Sequence, residues 1–461
     1  MVAALVAAGC GDGGSGLAEL PAEPVAADFS GVGYPLQQDG VPHAGERGGP
    51  VWLIGIDGAT WDLISPLRTD GELPNLDRLI REGASGTLIS EEPMISPALW
   101  TTIATGVPRF AHGIGDFTVK RPGRYDAAGA GPLDRRWPAV WELVEAAGGS
   151  STVVSWCGSY PAEPIRGVYL SEGLDPAEPD LDRVHPPELV DRIRAQVEVE
   201  IPPDAAARIA LSDHLRSTLE RDLRTTALLE MAVEERQTDL VAVYLSGTDV
   251  VQHLAWRHMD PASQQFPQDG PPDPRLAELI PDYYRLVDRL VGRIVDLAPA
   301  DATVVIVSDH GGGPIQPPEA FHLQLDVLLE ILGLMDETSG RLFTISQIYR
   351  HDKLAWLNLA DVEAEGIVPI ENAATEAAAI AERLRRLETD EGRSLLAKVT
   401  NHVSEPGWTP GDPALTIRFS ADALLTSEVR DGATRHDFAP VRLRHRDISG
   451  AHRLEGIVIL A

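Results

Sequence analysis

Cysteine is nearly absent from this sequence of 461 residues, which contains only Cys10 and Cys157. Two cysteines build neither a disulfide framework nor a zinc finger, so both classes of small cross-linked domain are excluded. Basic residues are also scarce, because 39 Lys and Arg stand against 70 Asp and Glu and give a net charge of −31. A field of that sign repels nucleic-acid polymers, and we expect none to bind, although a bound metal ion can invert the sign locally and admit an anionic substrate.

Long hydrophobic runs are missing as well, since no stretch approaches the ~20 apolar residues of a membrane span. A short apolar run at the N-terminus ends in Ala8-Gly9-Cys10 and is followed by a Gly/Ser-rich segment. This stretch resembles a bacterial lipoprotein signal with its lipobox, although a basic n-region is absent and Ala7 stands where Leu is usual. We therefore predict a signal and flexible tether over residues 1–48, export to the cell envelope, and membrane attachment only through a lipid on Cys10. The alternative is a disordered tail.

β-Branched and other apolar runs alternate with amphipathic segments from residue 50 onward. VWLIGI at 51–56 and VVIV at 304–307 are typical of strands that are buried on both faces of a parallel sheet. The alternation predicts an α/β fold, a three-layer α/β/α sandwich on a mostly parallel sheet. Beyond about 320 the pattern changes, which predicts a catalytic domain over 49–320, an inserted cap-like region over 321–440, and a return to the catalytic domain over 441–461.

Acidic residues and histidines follow several of the predicted strands. Asp57 follows the first strand, and the pair Asp309-His310 follows the run at 304–307. Asp249 and His253 are spaced i, i+4, so one helical turn presents both on the same face. Because parallel strands bring their carboxyl ends to one edge, where ligands bind, we expect these groups to converge. A mixed set of carboxylates and imidazoles suits Zn²⁺ or Mn²⁺ better than Ca²⁺ or Mg²⁺, and two such sets suit a pair of metals in phosphoryl transfer.

Several motifs in a fixed order extend the argument. They are IGIDGATWD, LPNLDRLIREGASG, ISPALWTTIATG with the later HGI, SGTDVVQH, VIVSDHG and SGAHRLEGI. From about residue 50 to 461 the chain resembles the alkaline phosphatase superfamily, and within it the type I phosphodiesterase/nucleotide pyrophosphatase branch. The resemblance implies two divalent metal ions, most simply Zn²⁺, with Mn²⁺ as the alternative. It assigns one ion to Asp249, His253 and His452, and the other to Asp57, Asp309, His310 and the nucleophile Ser96.

The family that the chain resembles places its Thr or Ser nucleophile ten residues before the Gly of a TG pair. Counted back from Gly106, this implies Ser96, with Thr101 and Thr102 as alternatives inside the predicted helix. A serine at a helix N-terminus is favoured, because the dipole there stabilises an anion. The chain departs from nucleotide pyrophosphatases at Leu99, which stands where those enzymes have an Asn that binds a phosphate oxygen. Trp100 or Thr101 is the expected replacement. His112 in the HGI motif is interpreted as structural.

These features together predict a metal-dependent phosphoester hydrolase, with a phosphodiesterase favoured, that acts on a small-molecule or lipid or glycan phosphoester through a phospho-enzyme on Ser96. The alternatives are a phosphomonoesterase or phosphotransferase at the same site, or a metal-binding pseudoenzyme that acts as a surface interaction protein. Relatives usually continue past GIVILA with a Gly-Pro turn and a final helix, so a truncated C-terminus is a further expectation.

Overall fold

The computed structural model describes residues 49–461 except 122, 197–212, 264–269, 317–320, 336–339, 345–351, 407 and 445–447. The predicted lipobox at Cys10 and the predicted tether lie outside the described residues. Within the described part, no helix combines the length and the apolar character needed to cross a membrane.

The centre of the molecule is an eight-stranded sheet. Its strands are β1 (Val51–Ile56), β2 (Ala84–Ile89), β3 (Ser151–Val154), β4 (Gly167–Leu170), β5 (Val184–His185), β6 (Leu240–Leu245), β7 (Thr303–Val307) and β8 (Glu455–Leu460). Their spatial order is β2-β8-β7-β1-β6-β3-β4-β5. The five strands from β7 to β4 run parallel, whereas β8 and β5 are antiparallel to their neighbours.

Helices cover both faces of this sheet, which confirms the predicted mostly parallel α/β sandwich. They are α1 (Trp61–Thr69), α2 (Pro74–Glu82), α3 (Ser96–Thr105), α4 (Arg109–His112), α5 (Val140–Ala146), α6 (Val190–Gln196), α7 (Asp213–Glu235), α8 (Gly247–Met259) and α9 (Leu279–Asp296). Successive residues of β6 pack into different cores. Ala242 belongs to the core under α3 and α5, and Val243 belongs to the core under α7 and α9. This alternation follows from the period of two along a strand.

Two sheet strands are not predicted by the sequence pattern. The composition of residues 158–215, rich in proline and charge, is typical of irregular segments with short helices, yet Gly167–Leu170 forms the fully buried strand β4 and Val184–His185 forms β5. Four residues are too few to show a reliable period, and pairing with β3 on one side and β5 on the other supplies the stability that local sequence does not.

The chain leaves the sheet after β7 and returns before β8 along two short antiparallel ribbons. In the first, Gly311–Pro314 pairs with Gly450–Arg453, so that Gly312 lies opposite His452. In the second, Phe321–Leu323 pairs with Arg442–Arg444. Close approach of backbone requires two glycines of the first ribbon, because a Cβ would lie 2.2 Å from the Glu455 carbonyl oxygen at Gly311 and 2.3 Å from the Gln252 carbonyl oxygen at Gly450.

Residues from 325 to 441, which connect the two strands of the second ribbon, form a separate hydrophobic core. It contains a four-stranded antiparallel sheet of Leu342–Phe343, Asp352–Leu357, Leu415–Phe419 and Leu396–Asn401. Further elements of this region are α10 (Leu325–Ile331), α11 (Ala373–Arg385) and the strands Glu388–Thr389, Glu428–Asp431 and Thr434–Asp437. Among the described residues, two further strands, Thr118–Lys120 and Ala127–Gly129, form a hairpin.

We predict that Gly450→Ala displaces the first ribbon, because the new Cβ would lie 2.3 Å from the main-chain oxygen of Gln252. A main-chain atom cannot move aside by a change of rotamer. The expected cost is about 1–3 kcal/mol of unfolding free energy, measured by denaturant titration. Gly129→Ala is the matched control, since nothing lies within 4 Å of that Cβ. Equal effects of the two substitutions would contradict the steric argument.

Candidate metal centre

Three sheet elements deliver acidic and imidazole side chains to one edge. Asp57 follows the end of β1, and Asp309 and His310 follow the end of β7, its parallel neighbour. Asp249 and His253 lie on α8, directly after β6 on the other side of β1. The predicted strand-end positions therefore meet because β7, β1 and β6 are consecutive and parallel in the sheet.

Adjacent Asp309 and His310 reach the same region because β7 ends at Val307, before both of them. The Ser308 hydroxyl accepts a hydrogen bond from the Ala59 N–H at 2.9 Å and donates to the His310 carbonyl. Gly58 N–H lies 3.4 Å from Asp309 Oδ1. These contacts fix the turn after β7 against the turn after β1.

The three predicted histidine ligands share one orientation. Each Nδ1 lies within hydrogen-bond distance of a main-chain carbonyl: His253 and Gly450 at 2.8 Å, His310 and Gly311 at 3.0 Å, and His452 and Met94 at 2.9 Å. A carbonyl can only accept, so each Nδ1 is the protonated nitrogen. In its neutral form each ring therefore directs the lone pair of Nε2 into the cluster, as metal-ligating imidazoles do.

These lone pairs converge. His253 Nε2 and His452 Nε2 are 2.9 Å apart, and Asp249 Oδ1 lies 3.3 Å from the first and 3.5 Å from the second. The rings of His310 and His452 stack with centroids 3.7 Å apart. Two neutral imidazole nitrogens that face each other repel unless a cation or a proton lies between them.

Two carboxylates also present oxygen atoms to the cluster. Asp57 Oδ1 and Asp309 Oδ2 lie 3.4 and 3.5 Å from His310 Nε2. All three atoms are buried, and none has a hydrogen-bond partner among the described residues. Buried polar atoms without partners are costly, and a cation held between these three atoms would replace the missing partners.

Burial and mutual repulsion shift the pKa values of the carboxylates apart. Burial, together with the charge of Asp249, raises the pKa of Asp57, and burial with the charges of Asp57 and Asp249 raises the pKa of Asp309 well above its ordinary value. Burial also opposes ionisation of Asp249, but His253 outweighs it and lowers the pKa of this carboxyl. In turn, burial lowers the pKa of His253 less than Asp249 raises it, so that it reaches about 9. A divalent cation would relieve the carboxylate repulsion directly.

The donor set fits metal ions in two groups. Asp249, His253 and His452 place one ligand atom each within 4.8 Å of one another, and so do Asp57, Asp249 and His310. The first group has the composition that the resemblance implies. In the second, Asp249 stands beside Asp57 and His310, so its carboxylate borders both groups, while Asp309 reaches the cluster through its contact with His310.

Ser96 is the first residue of α3 and is buried. Two residues earlier, the Met94 carbonyl accepts from His452 Nδ1, and one turn later Trp100 Nε1 lies 3.3 Å from Asp57 Oδ2. The segment around Ser96 is therefore tied to one ligand of each group, which places this segment beside the cluster.

The first turn of α3 offers few donors to an anion. Pro97 has no N–H, and the N–H groups of Ala98 and Leu99 both donate to the Ile95 carbonyl. The two expected replacements for the missing Asn are also engaged. Trp100 donates to Asp57, and the Thr101 hydroxyl donates to the Pro97 carbonyl at 2.6 Å. Their geometry does not support the role that the sequence analysis assigned to them.

His112 and Thr102 form a closed pair. The Thr102 hydroxyl donates to the Ala98 carbonyl and lies 3.1 Å from His112 Nε2, while His112 Nδ1 accepts from the Ile114 N–H at 3.1 Å. The imidazole is thus a neutral tautomer with both nitrogens paired, and it is fully buried. This geometry matches the structural interpretation of His112 and leaves Thr102 without a free hydroxyl for attack.

Sequence reasoning missed the groups that position the ligands. Asp222 accepts from the N–H groups of Ser246 and Gly247 at 3.0 Å each, and so caps the helix that contains Asp249. The Tyr244 hydroxyl donates to Asp57 Oδ2. Asp222 lies on α7, far from its partners in the sequence, and no local pattern reveals it.

The fold and this cluster define an α/β protein with a metal-binding centre at the carboxyl edge of its sheet. The profile of the type I phosphodiesterase / nucleotide pyrophosphatase family matches residues 51–415. The chain therefore belongs to that family, as predicted, and is a phosphoester hydrolase of a metal-dependent class. No curated protein matches it.

Similar solved structures include phosphonoacetate hydrolase from Sinorhizobium meliloti 1021 in complex with phosphonoacetate, at 18% identity and a TM-score of 0.48 over 89% of each chain. Human ectonucleotide pyrophosphatase / phosphodiesterase 5 is 14% identical, with a TM-score of 0.43 over 89% of this chain and 87% of that chain.

We predict that His112 makes the protein sensitive to acid. Burial lowers its pKa from 6.5 to about 4, so its contribution to stability is complete above pH 6.5 and is lost as the pH falls through 4. Protonation of Nδ1 would break the bond from Ile114. In His112→Asn, an amide oxygen replaces that acceptor without titrating. Unfolding free energies of the metal-free protein between pH 7 and 4 should fall less in the variant, by no more than about 3 kcal/mol. Parallel curves for the two proteins would refute this.

Proposed function

We propose that the protein is a binuclear metal phosphodiesterase in which Ser96 is the nucleophile. The observation that supports it best is the convergence of the Nε2 atoms of His253, His310 and His452 on the carboxylates of Asp57, Asp249 and Asp309. Imidazole and carboxylate ligands favour Zn²⁺, with Mn²⁺ as the alternative. When bound, two such ions supply charge neutralisation of the phosphoryl group and activation of the hydroxyl.

The residues of the chain then have distinct roles. Ser96 Oγ attacks phosphorus and loses its proton, the bond to the first alcohol breaks, and this alcohol leaves with a proton, so that Ser96 carries the remaining phosphoester. Water then cleaves the bond between Ser96 Oγ and phosphorus, which releases a phosphomonoester and restores the hydroxyl. The three imidazoles are oriented by main-chain carbonyls, and their Nε2 atoms would hold the ions.

The substrate class follows from the family and from the first turn of α3. A small-molecule phosphoester fits the family, and a phosphodiester of a small molecule, lipid or glycan is the substrate that we propose. The side-chain amide that nucleotide pyrophosphatases offer to a phosphate oxygen is replaced by the buried Leu99, and we therefore expect non-nucleotide diesters to be preferred.

Replacement of Ser96 by Ala should abolish turnover of bis(p-nitrophenyl) phosphate by at least about 10³-fold, because the attacking oxygen is removed. Metal content and metal dissociation constants should stay at the wild-type level, since the imidazole and carboxylate ligands remain. Thr102→Ala is the control, because it removes a hydroxyl of the same helix that is paired with His112.

An active Ser96→Ala beside an inactive Thr102→Ala would contradict the assignment of the nucleophile. Wild-type turnover of p-nitrophenyl phosphate in preference to the diester would identify a monoesterase. Metal binding without turnover of either ester would identify a binding protein.

We also propose that the protein is exported and anchored to the cell envelope by a lipid on Cys10, on the basis of Ala8-Gly9-Cys10 before a Gly/Ser-rich segment. Expression of the native chain should place it in the membrane fraction, and Cys10→Ser should release it, as measured by immunoblotting of the fractions. A soluble native chain would contradict the anchor.

A further inference from the structure

One oxygen of the Asp57 carboxylate is held by two donors from two different elements. The Tyr244 hydroxyl on β6 donates to Oδ2, and Trp100 Nε1 on α3 lies 3.3 Å from the same atom. The other oxygen, Oδ1, is left facing His310 Nε2 at 3.4 Å. With both donors on one side, rotation of the carboxylate would break two hydrogen bonds, so Oδ1 stays directed at the cluster.

The Trp100 indole is itself fixed in place. Its side chain is fully buried, and its ring makes edge contacts with Trp156 and Tyr244 at centroid distances of 5.3 and 4.9 Å. It also lies against the backbone of β1, because a Cβ on Gly55 would come within 2.6 Å of the ring. The indole therefore contacts the strand that ends in Asp57 as well as Asp57 itself.

Trp100 and Ser96 stand on the same helix at i, i+4, so they lie on one face a single turn apart. Residues 94–100 form the nucleophile segment, and at its other end the Met94 carbonyl accepts a hydrogen bond from His452 Nδ1 at 2.9 Å. The nucleophile segment is thus attached to one candidate ligand from each group. A change at either attachment alters the distance between Ser96 and that ligand.

We propose that Trp100 is a positioning residue whose indole N–H fixes Asp57 Oδ1 toward the metal and sets the distance between this ligand and Ser96. The inference rests on the proposed function, in which the cluster binds metal and Ser96 attacks the substrate. This role explains why Trp100 is unavailable as a replacement for the missing Asn, since the only N–H group of its side chain donates to Asp57.

The chain supplies a matched control in Trp141. This side chain is also buried in the same aromatic cluster, and its Nε1 donates to the Glu163 carboxylate at 2.9 Å. Trp141→Phe removes an indole N–H from a carboxylate, here a partly buried one, as Trp100→Phe does, and it leaves a similar void. Only Trp100→Phe changes a group of the metal centre.

The experiment compares the metal-loaded wild type, Trp100→Phe and Trp141→Phe. Metal dissociation constants come from competition with a chelator, and the ligand field comes from the absorption spectrum of the Co²⁺-substituted protein. Trp100→Phe should weaken metal binding and lower kcat by about 10–100-fold with KM nearly unchanged, and should alter the Co²⁺ spectrum. Trp141→Phe should lower the melting temperature of the metal-free protein by a similar amount and leave the metal readouts and kcat at the wild-type values.

The inference is overturned if Trp100→Phe matches Trp141→Phe in metal affinity, Co²⁺ spectrum and kcat while the wild type binds metal and cleaves the diester. A wild type that neither binds metal nor turns over the diester overturns the proposed function, and this inference with it. Should Trp100→Phe not fold, Trp100→Met takes its place, because a flexible apolar chain fills the void without restoring the donor.

Discussion

The structure depends on the close approach of three carboxylates and three imidazoles at one edge of a parallel sheet. Asp57, Asp309 and His310 are buried there, and the other three side chains are partly buried. Such a cluster is unstable by itself, because the burial and mutual repulsion of Asp57 and Asp309 favour their neutral forms. Main-chain carbonyls hold the imidazole rings with Nε2 inward, and this orientation brings the Nε2 atoms of His253 and His452 within 2.9 Å of each other. A cation bound here would interact with these atoms and carboxylates at once and would offset the cost of burying polar atoms that have no other partner.

The first ribbon, in which Gly311–Pro314 pairs with Gly450–Arg453, is the part of the fold that completes the cluster. The chain leaves the sheet after His310, forms a separate core between residues 325 and 441, and returns so that His452 pairs opposite Gly312. A Cβ on Gly312 or Gly450 would collide with Gln252 on α8, the helix that also contains His253. These two glycines therefore have a steric reason, because the ribbon lies directly on the helix and brings the last imidazole to the other two. A Cβ on Gly311 would instead meet the Glu455 carbonyl oxygen at the start of β8.

The segment of residues 94–100, which contains Ser96, is connected by hydrogen bonds to the acidic and imidazole side chains of the cluster. Hydrogen bonds from His452 to Met94 and from Trp100 to Asp57 attach both ends of this segment to the cluster. The same contacts occupy donors that a phosphate oxygen could otherwise use, and the bond between Thr101 and Pro97 removes another. Under the proposed function, substrate charge would be met chiefly by the metal ions and not by the helix, unlike in a site where an Asn side chain contributes.

The sequence by itself determined the alternation of strands and helices and the positions of Asp57, Asp309 and His310, because β-branched runs show where buried strands end. The helical spacing of Asp249 and His253 was likewise local. His452 came only from the family resemblance, because its place depends on ribbon pairing across the whole inserted region. Strand β4, the cap formed by Asp222 and the two donors on Asp57 were decided by the tertiary structure alone. Each arises from sheet order and register, which bring together groups distant in sequence, and no local pattern encodes that proximity.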